Sequence, residues 1–136
     1  MTDRAGLERD LVIVACAVSA GIHAALTPAH LGESDAAGGG FLAAAVVLGA
    51  LTLALTRHAS APILALAAVV LAGLIAGYAF AITSGLPVLH PEPEPVDGLA
   101  VATKLIEAVG LAAALHLLWR GRPAVVFHPT RKGTVT

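Results

Sequence analysis

Apolar residues fall in four long runs along this chain, separated by short stretches where charge, Gly, Pro and Ser collect. The first run extends from about Leu11 to Ala29, the second from about Gly40 to Thr56. The third covers about Pro62 to Leu86 and the fourth about Gly98 to Trp119. A helix needs about 20 apolar residues to cross a hydrocarbon core of roughly 30 Å, and each run meets or approaches that length. The pattern predicts an all-α fold, a polytopic membrane protein with an up-down bundle of four transmembrane helices. Residues 1–120 form that single domain, and residues 121–136 a basic cytoplasmic tail. Asp10 and Asp97 are placed to cap the first and fourth helices, and Ser60 with Pro62 suits the start of the third. The links GESDAAGG, RHASA and LPVLHPEPEPVDG are short, which favours antiparallel neighbours.

Composition sharpens the class. The chain is 57% hydrophobic and only 12% charged, with a mean hydropathy of +0.86. Ordinary soluble domains carry about 25% charged residues, so a soluble protein this apolar could not cover its own surface. The net charge of −1 says nothing about nucleic acid, but there is no basic stripe of the kind that would track phosphates, so no nucleic-acid partner is expected. The single cysteine, Cys16, rules out an internal disulfide framework. Cys16 does not read as a lipoprotein cleavage site either. Only Leu11 to Ala15 separate it from Asp10, whereas a signal needs roughly 7–15 apolar residues before the cut.

The placement of cations sets the expected orientation. Arg4 and Arg9 precede the first run, Arg57 lies between the second and third, and Arg120, Arg122, Arg131 and Lys132 follow the fourth. The alternate links hold Glu33, Asp35, Glu92, Glu94 and Asp97 and neither Lys nor Arg. Both termini are therefore expected in the cytoplasm of a plasma-membrane protein, with links 30–39 and 87–97 outside. Alternating prolines give the second of these links a stiff, extended geometry.

Ionisable residues inside apolar runs are costly in lipid and mark sites worth explaining. At about 100° per residue, Cys16, Ser19, His23, Thr27 and His30 share one helical stripe roughly 80° wide. Lys104 and Glu107, three apart, are neighbours on the fourth helix. Their depths are similar to that of His23, roughly 9–13 Å from the outer ends. A buried polar cluster of His23, Lys104 and Glu107 follows, with His30, Glu33, His90 and Glu92 above it as candidate ligands for a transition metal such as copper or zinc. His23 and His30 are roughly 10 Å apart along the axis, too far to share an ion on a straight helix. A proton relay through His23, Lys104 and Glu107 lacks a continuation. His116 lies nine residues past Glu107 and is expected on the opposite face, and His58 sits near the inner surface. Haem ligation would need two axial ligands at one depth, which His23 and His116 do not supply. No nucleophile–base signature points to an enzyme, and no catalytic or cofactor-binding residue is assigned.

Two stretches, SAGIHAALTPAHLGE (19–33) and GLPVLHPEPEPVDGLAVATKLIEAVG (85–110), resemble segments of small, uncharacterised four-helix membrane proteins of actinobacterial type. His23, Pro28, His30, His90, Pro91, Glu92, Asp97, Lys104 and Glu107 carry the resemblance. It implies a four-span integral membrane protein and no particular catalysis. Gly73 and Gly77, and separately Ala17, Gly21 and Ala25, are spaced to admit another helix, from this chain or from a partner. The sequence is read as a non-enzymatic structural or accessory component in the lipid bilayer. The alternative is a protein that binds or passes a transition metal at its outer mouth.

Overall fold

A computed structural model describes residues 4–85, 93 and 95–121. Among them the chain forms α1 (Arg4–Glu33), α2 (Asp35–Arg57), α3 (Ala61–Ser84) and α4 (Gly98–Arg120). Each is long and apolar enough to cross a membrane. His90, Glu92, Glu94 and the tail from Arg122 onward lie outside the described residues.

The start of α4 follows its local signal. Asp97 is the N-cap, and its carboxylate accepts from the Ala100 amide at 2.8 Å. Ser60 occupies the N-cap position of α3 without a side-chain bond, and Pro62 sits in the first turn. Proline costs nothing there, because the missing amide would have had no intrahelical partner.

The first two helices depart from the expected boundaries. Asp10 does not cap α1: the helix continues back through Leu7 and Ala5 to Arg4, and Asp10 pairs with its neighbour Arg9 at 3.5 Å. At the other end α1 runs through Pro28 to Glu33. Most of the link read as a loop over 30–39 is therefore helical. Ser34 alone joins α1 to α2, and its hydroxyl accepts from the Ala37 amide at 3.0 Å as an N-cap. Three consecutive glycines at 38–40 would each disfavour a helix by about 1 kcal/mol relative to alanine. Tertiary contact overrides that preference. Gly38 is buried against Leu31 of α1, where any Cβ would collide with the leucine side chain and backbone.

α1 packs most extensively on α2 and then on α4, and α3 packs on α4. α2 and α3, although consecutive, touch far less. An apolar core gathers Val12 and Cys16 of α1, Leu48, Leu51 and Leu55 of α2, Leu64 and Leu71 of α3, and Ala113 and Ala114 of α4. These come from the first halves of α1 and α3 and the second halves of α2 and α4. The remaining halves surround a cavity.

Candidate functional site: a polar seam beside a cavity

The α1–α4 interface carries polar contacts at two levels. Near one end, Glu8 accepts from the Arg4 Nε at 3.2 Å, and its other carboxylate oxygen lies 2.9 Å from the His116 Nδ1. Next comes a contact of small residues. Gly110 lies so close to Ala15 that a side chain at 110 would overlap the Ala15 methyl. Then Ser19 donates to Glu107 Oε1 at 2.6 Å, and Lys104 donates to Glu107 Oε2 at 2.7 Å. These contacts fall in opposite order along the two helices.

Glu107 is fully buried, and both its oxygens are satisfied by charged or hydroxyl donors. An unpaired carboxylate could not be held in such surroundings. His23 joins through Ser19. Its Nδ1 lies 2.8 Å from the Ser19 carbonyl and 3.3 Å from the Ser19 hydroxyl. A carbonyl only accepts, so Nδ1 carries the proton, and in the neutral tautomer with that proton Nε2 is an acceptor. One helical turn on, the Thr27 hydroxyl donates to the His23 carbonyl at 2.8 Å. The same habit recurs at Thr103, which donates to the Leu99 carbonyl at 2.7 Å. Such back-bonding satisfies a hydroxyl in an apolar setting without a partner helix.

The structure thus brings Lys104 and Glu107 into direct contact, and attaches His23 to them through Ser19. Ser19 was visible only as one position on a polar stripe; its place between His23 and Glu107 depends on how α4 lies against α1. His30 stands apart from the cluster. Its ring stacks on Phe41 of α2 with centroids 3.7 Å apart, and its Nδ1 bonds to the Leu26 carbonyl at 3.0 Å. Glu33 is exposed at the last position of α1. Among the described residues, no three His, Cys, Asp or Glu side chains converge as a metal site would require. The other two candidate ligands, His90 and Glu92, lie outside those residues.

His116 departs from expectation. It was placed on the opposite face of α4 from Glu107, yet it too meets α1. The long Glu8 side chain bridges the gap, and the His116 side chain stays 35% exposed. Glu8 falls on the same helical stripe as Ser19 and His23 at 100° per residue, a signal that could have found it. Phe41 and Tyr78 were also missed, because a lone aromatic on an apolar helix carries no motif.

Beside the seam, where α2 and α3 part, lies a cavity of about 350 Å³. Its wall is mostly apolar, with Leu26, Phe41, Leu74 and the bare backbones of Gly40, Gly73 and Gly77. Gly73 and Gly77 therefore do not seat another helix of this chain; a Cβ at either would meet open space. His23, Tyr78 and Lys104 also line the cavity. Lys104 Nζ lies 5.8 Å from the centre of the Tyr78 ring, within cation–π range. The Tyr78 hydroxyl is buried and has no hydrogen-bond partner. Searches against protein-family models, curated proteins and solved structures found no match to this chain.

Proposed function

We propose that this is a small multi-pass protein of the plasma membrane, an up-down four-helix bundle with both termini in the cytoplasm. It serves as a non-enzymatic structural or accessory component. The observation that carries this reading is an inverted distribution of polarity. Glu107 is 0% exposed, while Val69 is 68%, Leu105 65% and Val46 62% exposed, on three different helices. In water that arrangement would be reversed; in lipid, polar groups belong inside and apolar ones outside. Arg4, Arg57 and Arg120 mark helix ends that would all face the cytoplasm, and Asp35 and Asp97 mark ends that would face outward. At 30 residues α1 is about 45 Å long. It can cross the hydrocarbon and still carry Arg4 into the headgroup region.

The polar seam supports a structural role. Ser19 and Lys104 together satisfy both oxygens of Glu107, and the Ser19 bond pins α1 to α4. Ala17, Gly21 and Ala25 lie exposed on α1, with open space beside Gly21. A second helix could approach closely there, as an accessory subunit requires. The test is single-cysteine labelling in intact cells, in a Cys16→Ala background. Cysteine placed at Ala36 should react with an impermeant maleimide, and cysteine at His58 only after the cells are opened. The opposite result would overturn the orientation. Release of the protein from membranes by alkaline carbonate would overturn the membrane reading itself.

A further inference from the structure

We infer that the cavity between α2 and α3 binds a single-chain amphiphile with an uncharged, hydroxyl-bearing head. The inference rests on the four helices lying in a bilayer. It goes beyond the structural role by assigning the cavity a ligand.

Among the residues that line the cavity, Tyr78, Lys104 and His23 carry polar groups with hydrogen-bonding capacity to spare; His30 and Asp97 line it too, with the His30 Nδ1 bonded to the Leu26 carbonyl and the Asp97 carboxylate capping α4. Tyr78 has a buried hydroxyl without a partner. Native proteins leave few such groups unsatisfied, and each calls for an explanation. Lys104 has three donors, and Glu107 Oε2 takes one. His23 spends Nδ1 on Ser19 and leaves Nε2 as an acceptor. A ligand head must therefore accept from Lys104 or Tyr78 and donate to His23. A hydroxyl does both, having one donor and two acceptor lone pairs.

Charge excludes the obvious competitor, a carboxylate. Glu107 already balances Lys104 at 2.7 Å. A second anion would stand uncompensated among apolar walls, where an unpaired charge is strongly disfavoured. The remaining surface selects the tail. Its wall of Leu26, Leu74 and glycine backbone is hydrocarbon-like. A cavity of about 350 Å³ sits at the small end of the roughly 300–1,000 Å³ that ligand sites span. That admits one slim chain and not a two-chain lipid.

The full-length protein in phosphatidylcholine vesicles would be labelled with dodecanol bearing a photoreactive diazirine in its chain, and the adducts mapped by mass spectrometry. Adducts should concentrate at residues 40–44 and 73–81. Unlabelled 1-dodecanol or monolauroylglycerol should displace them; the stronger of the two identifies an alcohol or a monoglyceride as the natural class. Tyr78→Phe removes one hydrogen bond and should weaken labelling about fivefold. Gly77→Leu fills the space and should reduce it about tenfold or more, with helix content by circular dichroism unchanged. Labelling spread evenly over Val69 and Leu105, and indifferent to Gly77→Leu, would overturn the site. Equal displacement by dodecane would show that the head is not recognised, and equal displacement by dodecanoate that charge is not excluded; either defeats the assignment. Carbonate extraction of the same vesicles separates the two readings. Protein that resists extraction but gives no cavity adducts refutes the ligand alone. Protein that is extracted refutes the membrane reading, and this one with it.

Discussion

α1 and α4 meet along a seam of charge and small residues; α2 and α3, both richer in hydrocarbon, barely meet at all. Gly110 lies against Ala15, and Ser19, Lys104 and Glu107 are joined by bonds of 2.6 and 2.7 Å. Between α2 and α3 there is a cavity instead, with Gly73 and Gly77 facing open space. In a bilayer this contrast has a physical basis. Leu and Val gain nothing by exchanging lipid for one another, whereas polar groups and close backbone approach do favour association. The polar seam holds α1 to α4, whereas α2 and α3, whose facing surfaces are mostly hydrocarbon, are left free to part. A helical glycine can thus seat another helix or border a hole, depending on what the facing helix offers.

The largest test of this contrast is Glu107→Ala. It strands Lys104 and Ser19 in the interior, and breaking a buried pair from one side costs about 3–5 kcal/mol. Thermal unfolding of the reconstituted protein should show a large loss. The double variant Lys104→Met/Glu107→Leu removes the pair as a unit and should recover most of it, since apolar replacements of buried ion pairs are often neutral or better. A double variant as unstable as Glu107→Ala alone would mean that the seam is needed for folding itself.

A second comparison sets two glycines against each other. Gly110→Ala forces a methyl against Ala15 and should destabilise by about 1–3 kcal/mol, the usual cost of overpacking. Gly73→Ala meets open space and gains helix propensity, so it should stabilise by up to about 1 kcal/mol. Denaturation midpoints of the two variants should move in opposite directions. A shift of the same sign in both would remove the distinction between the closed and open interfaces.

Much of the fold was legible because length and hydropathy decide it. Four apolar runs of sufficient length became four helices, and Asp97 became the N-cap that its type and position favour. What misled was local chemistry overruled by packing. Gly38 and Gly39 read as loop, yet they lie in α2, where Gly38 packs against Leu31 with no room for a side chain. Site legibility followed the same division. The cost of burying His23, Lys104 and Glu107 flagged all three, because expense is a property of the single residue. Pairings were harder to read. Ser19 as bridge, Glu8 against His116 and Phe41 beneath His30 depend on helix rotation and depth, which periodicity leaves free within tens of degrees. The cavity was not legible at all, since it arises from where two apolar helices fail to touch.

The smallest expected effect discriminates most finely within the seam. Interhelical hydrogen bonds in membranes average about 0.6 kcal/mol, so the Ser19–Glu107 bond of 2.6 Å should appear as a coupling of that order. Ser19→Ala, Glu107→Gln and the double variant close the cycle, read by reversible unfolding in mixed micelles. His23 touches Glu107 only by way of Ser19. Any coupling between His23→Ala and Glu107→Gln should therefore be present in the native background and vanish when Ser19 is already alanine. Coupling that survives Ser19→Ala would mean that His23 senses the carboxylate through space, and the seam would be an electrostatic cluster, not a chain of bonds.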